Sequence, residues 1–481
     1  MVDPSEITVV AERQYPRHWV GLRTLHLGMI VLLGVGLRFW GLGSTSLWYD
    51  EVVTMQVART AGPAALVERL DQIDGTRAPL HPLVLQAWLR VFGSSDLAGR
   101  SFSALCGLGT LAVIYFLGRQ AFDESTGRWA AWLAAVCPPL VYYSQEARMY
   151  AWLVLLCCAS WLVFLSFRTS AKPTQCLIYW LILTSLVYSH PLALFMVAAH
   201  GLSYLLVRPY LRLTLKWWLT IQAAVIASIM PWLGRYMDHG TDYPMPRYSI
   251  RFLAAVPIEY IGGNSVVLVI CVAIIMFGVL SRQRAGHWPW LAVSNPAENL
   301  VFATWATVPP LLMFLYSYFA QPIFGPPRYH LYIAPAYLIL LAHGLSRLPT
   351  AIRWPLVATA LGLSLFLLQN YHQALKADWR GLAIWLKSHE SEDRAGDSPS
   401  GHRAILVHPS DPRFPREQLA AARYYLSQES RVIPAGEMSE ITNADSSQVI
   451  YEVYCLATPG KPEDADPDVV TFYGLCVKRR K

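Results

Sequence analysis

Leu47-Trp48-Tyr49-Asp50-Glu51-Val52-Val53-Thr54 sets two adjacent carboxylates directly behind an apolar run, 25–42, long enough to be a first membrane span. Carboxylates are costly to desolvate, and an ionisable group at a membrane boundary is a functional-site hypothesis by default. A solvated loop leading into an interfacial helix would carry the same pair. The distinction rests on company: further acids, arginines and histidines at span ends on the same side would make a site.

Composition identifies the solvent. Of 481 residues, 54% are hydrophobic and only 15% charged, against about 25% charged in a soluble protein. This is an integral membrane protein, and its 18 tryptophans and 25 tyrosines suit the aromatic belts of a bilayer. The net charge of +7 is scattered through short loops instead of forming a stripe, so no nucleic-acid partner is expected. Six of the eight cysteines lie in apolar runs as small hydrophobes. Cys455 and Cys476 fall in the polar tail, where an extracytoplasmic location would let them pair. Arg13, Arg17 and Arg23 ahead of the first apolar run imitate a signal peptide. Arg38, Phe39 and Trp40 stand where cleavage wants small residues, so an uncleaved first span is expected.

Apolar runs near 20–42, 98–118, 129–144, 150–168, 175–190, 191–208, 215–233, 264–281, 299–319, 329–346 and 352–370 predict about eleven spans. With the N-terminus in the cytoplasm, every inner loop is basic: Arg119 and Arg128, Arg168 and Lys172, Arg208, Arg212 and Lys216, Arg282 and Arg284, Arg347 and Arg353. The outer segments then carry Asp50-Glu51, 143–150, His190, 234–263 and 319–330. An odd number of spans puts the tail outside as well. Charge bias and the clustering of unusual residues therefore select one face.

Between the first two spans, 52–59 and 63–70 read as short amphipathic helices. The segment 81–92 is apolar but too short to cross, and 250–260 is similar. A transmembrane unit, 1–370, precedes a tail, 371–481, of different character. There 376–387 is amphipathic, 390–401 a polar linker, 404–408 a strand, 416–427 a helix, and 449–456 and 469–477 strands. The expected fold is a polytopic α-helical membrane protein of about eleven spans with a small extracytoplasmic C-terminal α/β domain.

Tyr143-Ser144-Gln145-Glu146-Ala147-Arg148-Met149-Tyr150 ends the third span on the Asp50 side, where Glu146 and Arg148 are either a surface pair or site residues. Pro326-Pro327-Arg328-Tyr329-His330 opens the tenth. Arginine is uncommon on the outer side, and its guanidinium binds phosphate in bidentate fashion; a snorkelling anchor is the plain alternative. His81 and His190 each precede a proline and would serve equally as turn residues. Asp378-Trp379-Arg380 reads as the start of a helix with a packed indole. Gly107-Leu108-Gly109-Thr110-Leu111-Ala112 has the spacing of a dinucleotide loop, but it sits inside an apolar run with no preceding strand, so helix packing is expected.

In order along the chain, WYDE, a His-Pro-Leu segment, RSFSALCGLGTLAVIYFLGRQAF, SQEARMYAW, YSHPLAL, PPRYHLYIAP and KADWRGLAIWL resemble the bacterial relatives of protein O-mannosyltransferases and aminoarabinose transferase. These are GT-C glycosyltransferases that use polyprenyl-phosphate-linked sugars. The resemblance spans nearly all of 25–390, with WYDE and SQEARMY its most specific parts; where the family has His-Pro-Pro-Leu, this chain has His-Pro-Leu at His81. It implies a catalytic carboxylate at Asp50, with Glu51 beside it and Glu146 as the second acid of the outer loops. Arg148, Tyr150, His81, His190, Arg328 and Tyr329 are the candidates for binding substrate, the two arginines for the lipid phosphate.

The chemistry suits these residues. A sugar leaving as polyprenyl phosphate departs as a stable anion, so the site needs a base for the acceptor hydroxyl and cations on the phosphate. Glu51 and Glu146 are expected to make Asp50 more basic. The partners implied are a polyprenyl-phosphate sugar, an acceptor lipid, glycan or protein, and the bilayer of an inner or plasma membrane; a divalent cation near Asp50 is left open. Two other readings stand beside this one, a flippase for lipid-linked sugars and a transferase of the lipid phosphate itself.

Overall fold

The computed structural model describes residues 17–237, 248–260, 265–285, 288–325, 327–372, 376–389, 403–408, 415–426, 430–434, 449–455, 469–472 and 475–479. The expected linker 390–401 and much of the outer segment 234–263 lie outside these residues. The first half of the chain is helical throughout: α1 (Arg17–Phe39), α2 (Tyr49–Ala58), α3 (Pro63–Ile73), α4 (Leu80–Phe92), α5 (Asp96–Ala121), α6 (Glu124–Val136), α7 (Pro138–Tyr142) and α8 (Tyr150–Ser166). It continues with α9 (Pro173–Ser189), α10 (Ala193–Val207), α11 (Leu215–Met237), α12 (Ile250–Tyr260) and α13 (Ser265–Val279). A hairpin, β1 (Leu280–Ala285) and β2 (Trp288–Val293), leads to α14 (Pro296–Phe319), a 3₁₀ turn at Pro327–Ile333, α15 (Ala334–Arg347) and α16 (Thr350–His372).

Each of the eleven apolar runs is helical. Among the described residues four helices are long and apolar enough to cross a membrane, α5, α14 and the stretches Leu215–Tyr236 and Thr350–Gln369, with shorter apolar helices at Thr24–Phe39, Tyr150–Ser166 and Ser265–Val279. The chain is a multi-pass membrane protein. The four segments read as too short or too polar to cross are the separate helices α2, α3, α4 and α12.

Local chemistry sets the boundaries. Ser95 caps α5 by accepting from Ala98 N at 3.1 Å, and Asp123 caps α6 by accepting from Thr126 N at 2.7 Å. The short turn between them makes the two helices antiparallel. They touch through glycine: a Cβ on Gly118 would lie 2.9 Å from the Gly127 Cα, the close backbone approach that small residues permit in membranes. Gly344 of α15 meets the Ile274 carbonyl of α13 in the same way. Gly107 lies against Ser144 and Arg38.

The run 129–144 is broken, with α6 ending at Val136 and α7 starting at Pro138. Pro138 and Pro139 have no N–H for the carbonyls of Ala134 and Ala135. Arg38, buried in α1, supplies those donors, with Nη2 to Ala134 O at 3.2 Å and Nη1 to Ala135 O at 3.1 Å.

The tail builds a five-stranded sheet from β3 (Arg403–His408), β4 (Ser430–Pro434), β5 (Val449–Cys455), β6 (Val469–Phe472) and β7 (Leu475–Arg479), in spatial order β4-β3-β5-β7-β6. Strands β4 and β5 run parallel to β3, and β7 is antiparallel to both β5 and β6. The stretch 469–477 is thus a hairpin, not one strand. The helices α17 (Trp379–Ser388) and α18 (Pro415–Leu426) cover one face, packing Trp379, Leu382 and Leu426 on Ile405, Val407 and Val453. Cys455 stands opposite Leu475, whereas Cys476 pairs with Tyr454. Successive strand residues face opposite sides, so the two thiols lie on different faces, free and buried.

The sheet domain is fastened to the helical part at Asp96. Its carboxylate accepts from Tyr424 at 3.0 Å and Tyr425 at 2.7 Å, and pairs with Arg380 at 2.8 Å. Tyr425 also accepts from Leu47 N at 2.7 Å, just before the Asp50-Glu51 pair.

Candidate active site

Asp50 and Glu51 sit in the first turn of α2, where two carboxylates complement the helix dipole. Consecutive helical residues point about 100° apart, so the two acids meet different neighbours, and their fates diverge.

Glu51 is sealed from solvent. Arg100 grips it with Nε and Nη2, each 2.8 Å from a carboxylate oxygen, while Ala147 N donates at 2.9 Å and Trp48 N at 3.3 Å. The remaining protons of Arg100 go to carbonyls of Leu42, Thr45 and Ser46, which shapes the turn between α1 and α2. Lys376, just before α17, lies 3.0 Å from Glu51 and 3.3 Å from Glu146. Two buried acids and two cations make a neutral cluster, as burial demands. Burial works to raise the Glu51 carboxyl, but Lys376 and Arg100 outweigh it and hold it down at about 2. For Glu146, burial and the neighbouring Glu51 outweigh Lys376 and the Tyr142 hydroxyl, and its carboxyl is raised.

Asp50 faces a different set. Its side chain is 19% exposed, and Arg328 Nη1 stands 3.6 Å from its Oδ2. The Arg328 guanidinium lies 5.3 Å from the Trp48 ring and 5.2 Å from that of Tyr329. Arg148 Nη1 donates to Asp50 O at 3.1 Å and Thr54 Oγ1 at 2.7 Å, and lies 3.8 Å from Asp74 Oδ2. Its guanidinium is 6.0 Å from the Tyr150 ring. The loop carrying Arg328 is pinned by Tyr260, whose hydroxyl donates to His330 O at 2.7 Å. One partly open carboxylate therefore lies beside two guanidiniums, both with buried stems.

The histidines take different places. His81 is buried at the start of α4, and burial together with Arg148 pulls its imidazole down to about 3, so it is neutral. Its Nε2 has no hydrogen-bond partner among the described residues. His190 closes α9, its Nδ1 accepting from Leu192 N at 3.1 Å. Among the described residues no group of three or more His, Cys, Asp or Glu could hold a metal ion. Around Asp50 the charges balance, Arg328 standing against Asp50 and Arg148 against Asp74.

Asp50, Arg148, Tyr150, Arg328 and Tyr329 thus come together, and Glu51 and Glu146 share Lys376. Glu51 is gripped by Arg100 and shares Lys376 with Glu146, while Asp50 meets Arg328. Sequence reading missed Arg100, Lys376, Thr54 and Asp74. Arg100 had a signal, a cation inside the apolar run 98–118; Lys376 had only its place at the head of KADWRGLAIWL.

The helical arrangement matches known structures. The chain aligns with ArnT from Cupriavidus metallidurans in the apo state at a TM-score of 0.58 and 13% identity, over 96% of this chain and 98% of that one. The same protein bound to undecaprenyl phosphate gives 0.54 and 11%, over 97% and 98%. The Archaeoglobus fulgidus oligosaccharyltransferase tethered to an acceptor peptide gives 0.46 and 12%, over 90% of this chain and 69% of that one. No curated protein sequence matches. Residues 76–234 match the family described as dolichyl-phosphate-mannose-protein mannosyltransferase.

A segment of the chain, 76–234, is thus similar to a mannosyltransferase family, and the chain as a whole shares the fold of ArnT. The matched segment contains His81, Glu146, Arg148, Tyr150 and His190, and leaves Asp50, Glu51, Arg328 and Tyr329 outside it.

Proposed function

We propose that the chain moves a sugar from a polyprenyl-phosphate donor to a hydroxyl of a lipid, glycan or protein acceptor, on the extracytoplasmic face of the inner or plasma membrane. One observation carries this reading: Asp50 is a partly exposed carboxylate beside Arg328 and Arg148, while adjacent Glu51 is buried and fully paired. The undecaprenyl phosphate bound by the similarly folded ArnT supports the donor class. Asp50 accepts the proton of the acceptor hydroxyl as its oxygen bonds to the anomeric carbon. The bond from that carbon to the phosphate oxygen breaks, and the electron pair leaves with the phosphate. Arg328 and Arg148 hold the anion, so no acid is needed on the leaving oxygen. Attack opposite the phosphate inverts the anomeric centre. The chemistry is assigned to these side chains, and no step uses a metal.

In this reading α1, α5, the broken α6–α7, α8 to α11 and α13 to α16 are the eleven crossings. The N-terminus is cytoplasmic, 1–370 is the membrane unit and 371–481 the outer domain. Polar side chains at helix ends argue against a flippase, whose site belongs near the midplane.

Asp50→Asn keeps shape and volume but cannot accept the proton. Transfer from a polyprenyl-phosphate sugar, normalised to folded protein, should fall ~10²–10⁴-fold with donor binding kept. Wild-type turnover in this variant would end the assignment, and release of a phosphorylated acceptor would make the chain a phosphotransferase. For orientation, a cysteine at exposed Ser388 should react with an impermeant thiol reagent in intact cells, and one at exposed Thr169 should not. Reversed labelling turns the site to the cytoplasm.

A further inference from the structure

The end of the bundle opposite Asp50 holds a hollow of about 170 Å³, lined by His26, Arg128, Trp129, Trp132, Arg353 and Trp354. Chain direction puts it there. From His26, α1 runs towards Leu37 and Trp40, whose carbonyls accept from Gln145 beside Glu146. From Arg128, α6 runs towards the Pro138 break and the Glu146 loop. From Arg353, α16 runs to His372, four residues ahead of Lys376. Each helix has its site-side end elsewhere.

The lining is basic and aromatic. It includes two guanidiniums and an imidazole, and no carboxylate. Glu124 pairs with Arg128 at 3.0 Å, which leaves one guanidinium in surplus. That surplus is Arg353: it lies 5.6 Å from the Trp129 ring, its Nη atoms reach Ser346 O and Thr350 Oγ1 at 3.3 Å each, and its Nε is buried with no acceptor among the described residues. A buried donor without an acceptor costs free energy, so an acceptor from outside the chain would be stabilising. The same helices expose apolar side chains next in sequence to lining residues, Leu25 at 59% on α1 and Ile352 at 52% on α16. Indoles beside basic side chains at span ends are also the chemistry of the bilayer interface.

We propose that this hollow seats the phosphate of an anionic membrane phospholipid, with its acyl chains along the exposed faces of α1 and α16. The guanidinium of Arg353 binds the phosphate, the indoles fix its depth, and Arg128 adds charge. The site is separate from the Asp50 centre and makes no use of the sugar donor.

The test is native mass spectrometry of the full chain, released from membranes into detergent with phosphatidylglycerol or phosphatidylcholine added. The wild type should retain one phosphatidylglycerol more firmly than phosphatidylcholine. Arg353→Gln with Arg128→Gln should weaken that retention about tenfold or more, the scale of a lost charge-assisted hydrogen bond. Arg353→Lys keeps the charge and the fold but loses the Nε donor, so it should weaken retention by less. Equal retention in all three proteins overturns the proposal, as does equal retention of phosphatidylcholine. Full displacement of the lipid by millimolar inorganic phosphate would make this a free-anion site and overturn the lipid assignment.

Discussion

Asp50 and Glu51 are neighbours in sequence and opposites in chemistry, and the difference comes from what each meets. Lys376 joins Glu51 to Glu146, and Glu146 stands two residues from Arg148. A neutral side chain at 376 would leave Glu146 without its cation among the described residues, and breaking a buried pair by removing one partner costs roughly 3–5 kcal/mol. Lys376→Met should lower both melting temperature and turnover, although Lys376 touches neither Asp50 nor Arg328 among the contacts described. Adding Glu146→Gln removes the orphaned charge and should restore much of both, since Arg100 still neutralises Glu51. A double variant no better than the single would show that Lys376 does something other than balance Glu146. The Asp50 set was legible because Arg148 and Arg328 break the charge rule of the outer side. Lys376 was not, because a lysine just after a span looks like any other, and only folding brings it between two acids 325 and 230 positions earlier.

At the scale of elements, apolar runs mark helices because a membrane segment satisfies its backbone internally, and every predicted run is helical, that at 129–144 in two pieces. What sequence pattern hid was where helices break and how near they come. The hairpin β1–β2 and strand β4 carry weak signals, since four to six residues show little periodicity. Close approach is invisible until two glycines from distant helices meet. Gly344→Ala would drive a methyl group into the Ile274 carbonyl, and backbone has little room to yield; overpacking typically costs ~1–3 kcal/mol and more when rigid atoms must move. The melting temperature of that variant in detergent should drop clearly. Gly28→Ala, with nothing within 4 Å of the added carbon, is the control and should leave it unchanged. Equal melting of the two would mean that α13 and α15 do not pack as described.

For the whole molecule, Asp96 is the point where two kinds of architecture are held together. It takes two tyrosine hydroxyls and a guanidinium from the sheet domain while opening the helix that also carries Arg100. Asp96→Asn removes the charge that Arg380 answers and weakens both tyrosine bonds. The sheet domain should then become more sensitive to protease and exchange amide hydrogen faster, with the bundle unaffected. Turnover should fall as well, because Lys376 and the helix α17 that follows it share this anchor. Undiminished protection of the tail in Asp96→Asn would show that the packing of Tyr424 and Tyr425 against the cluster of Val52 and Met55 suffices.

The Arg38 bridge has a consequence in time. Its acceptors, Ala134 and Ala135, are 96 and 97 residues further along the chain, and at ~5–20 residues per second of synthesis they follow it by several seconds or more. During that interval the guanidinium has only its own helix to turn to, through a long 3.4 Å bond to the Gly34 carbonyl. The first helix is therefore the last of the early ones able to settle, held near the headgroups until the two prolines present their bare carbonyls.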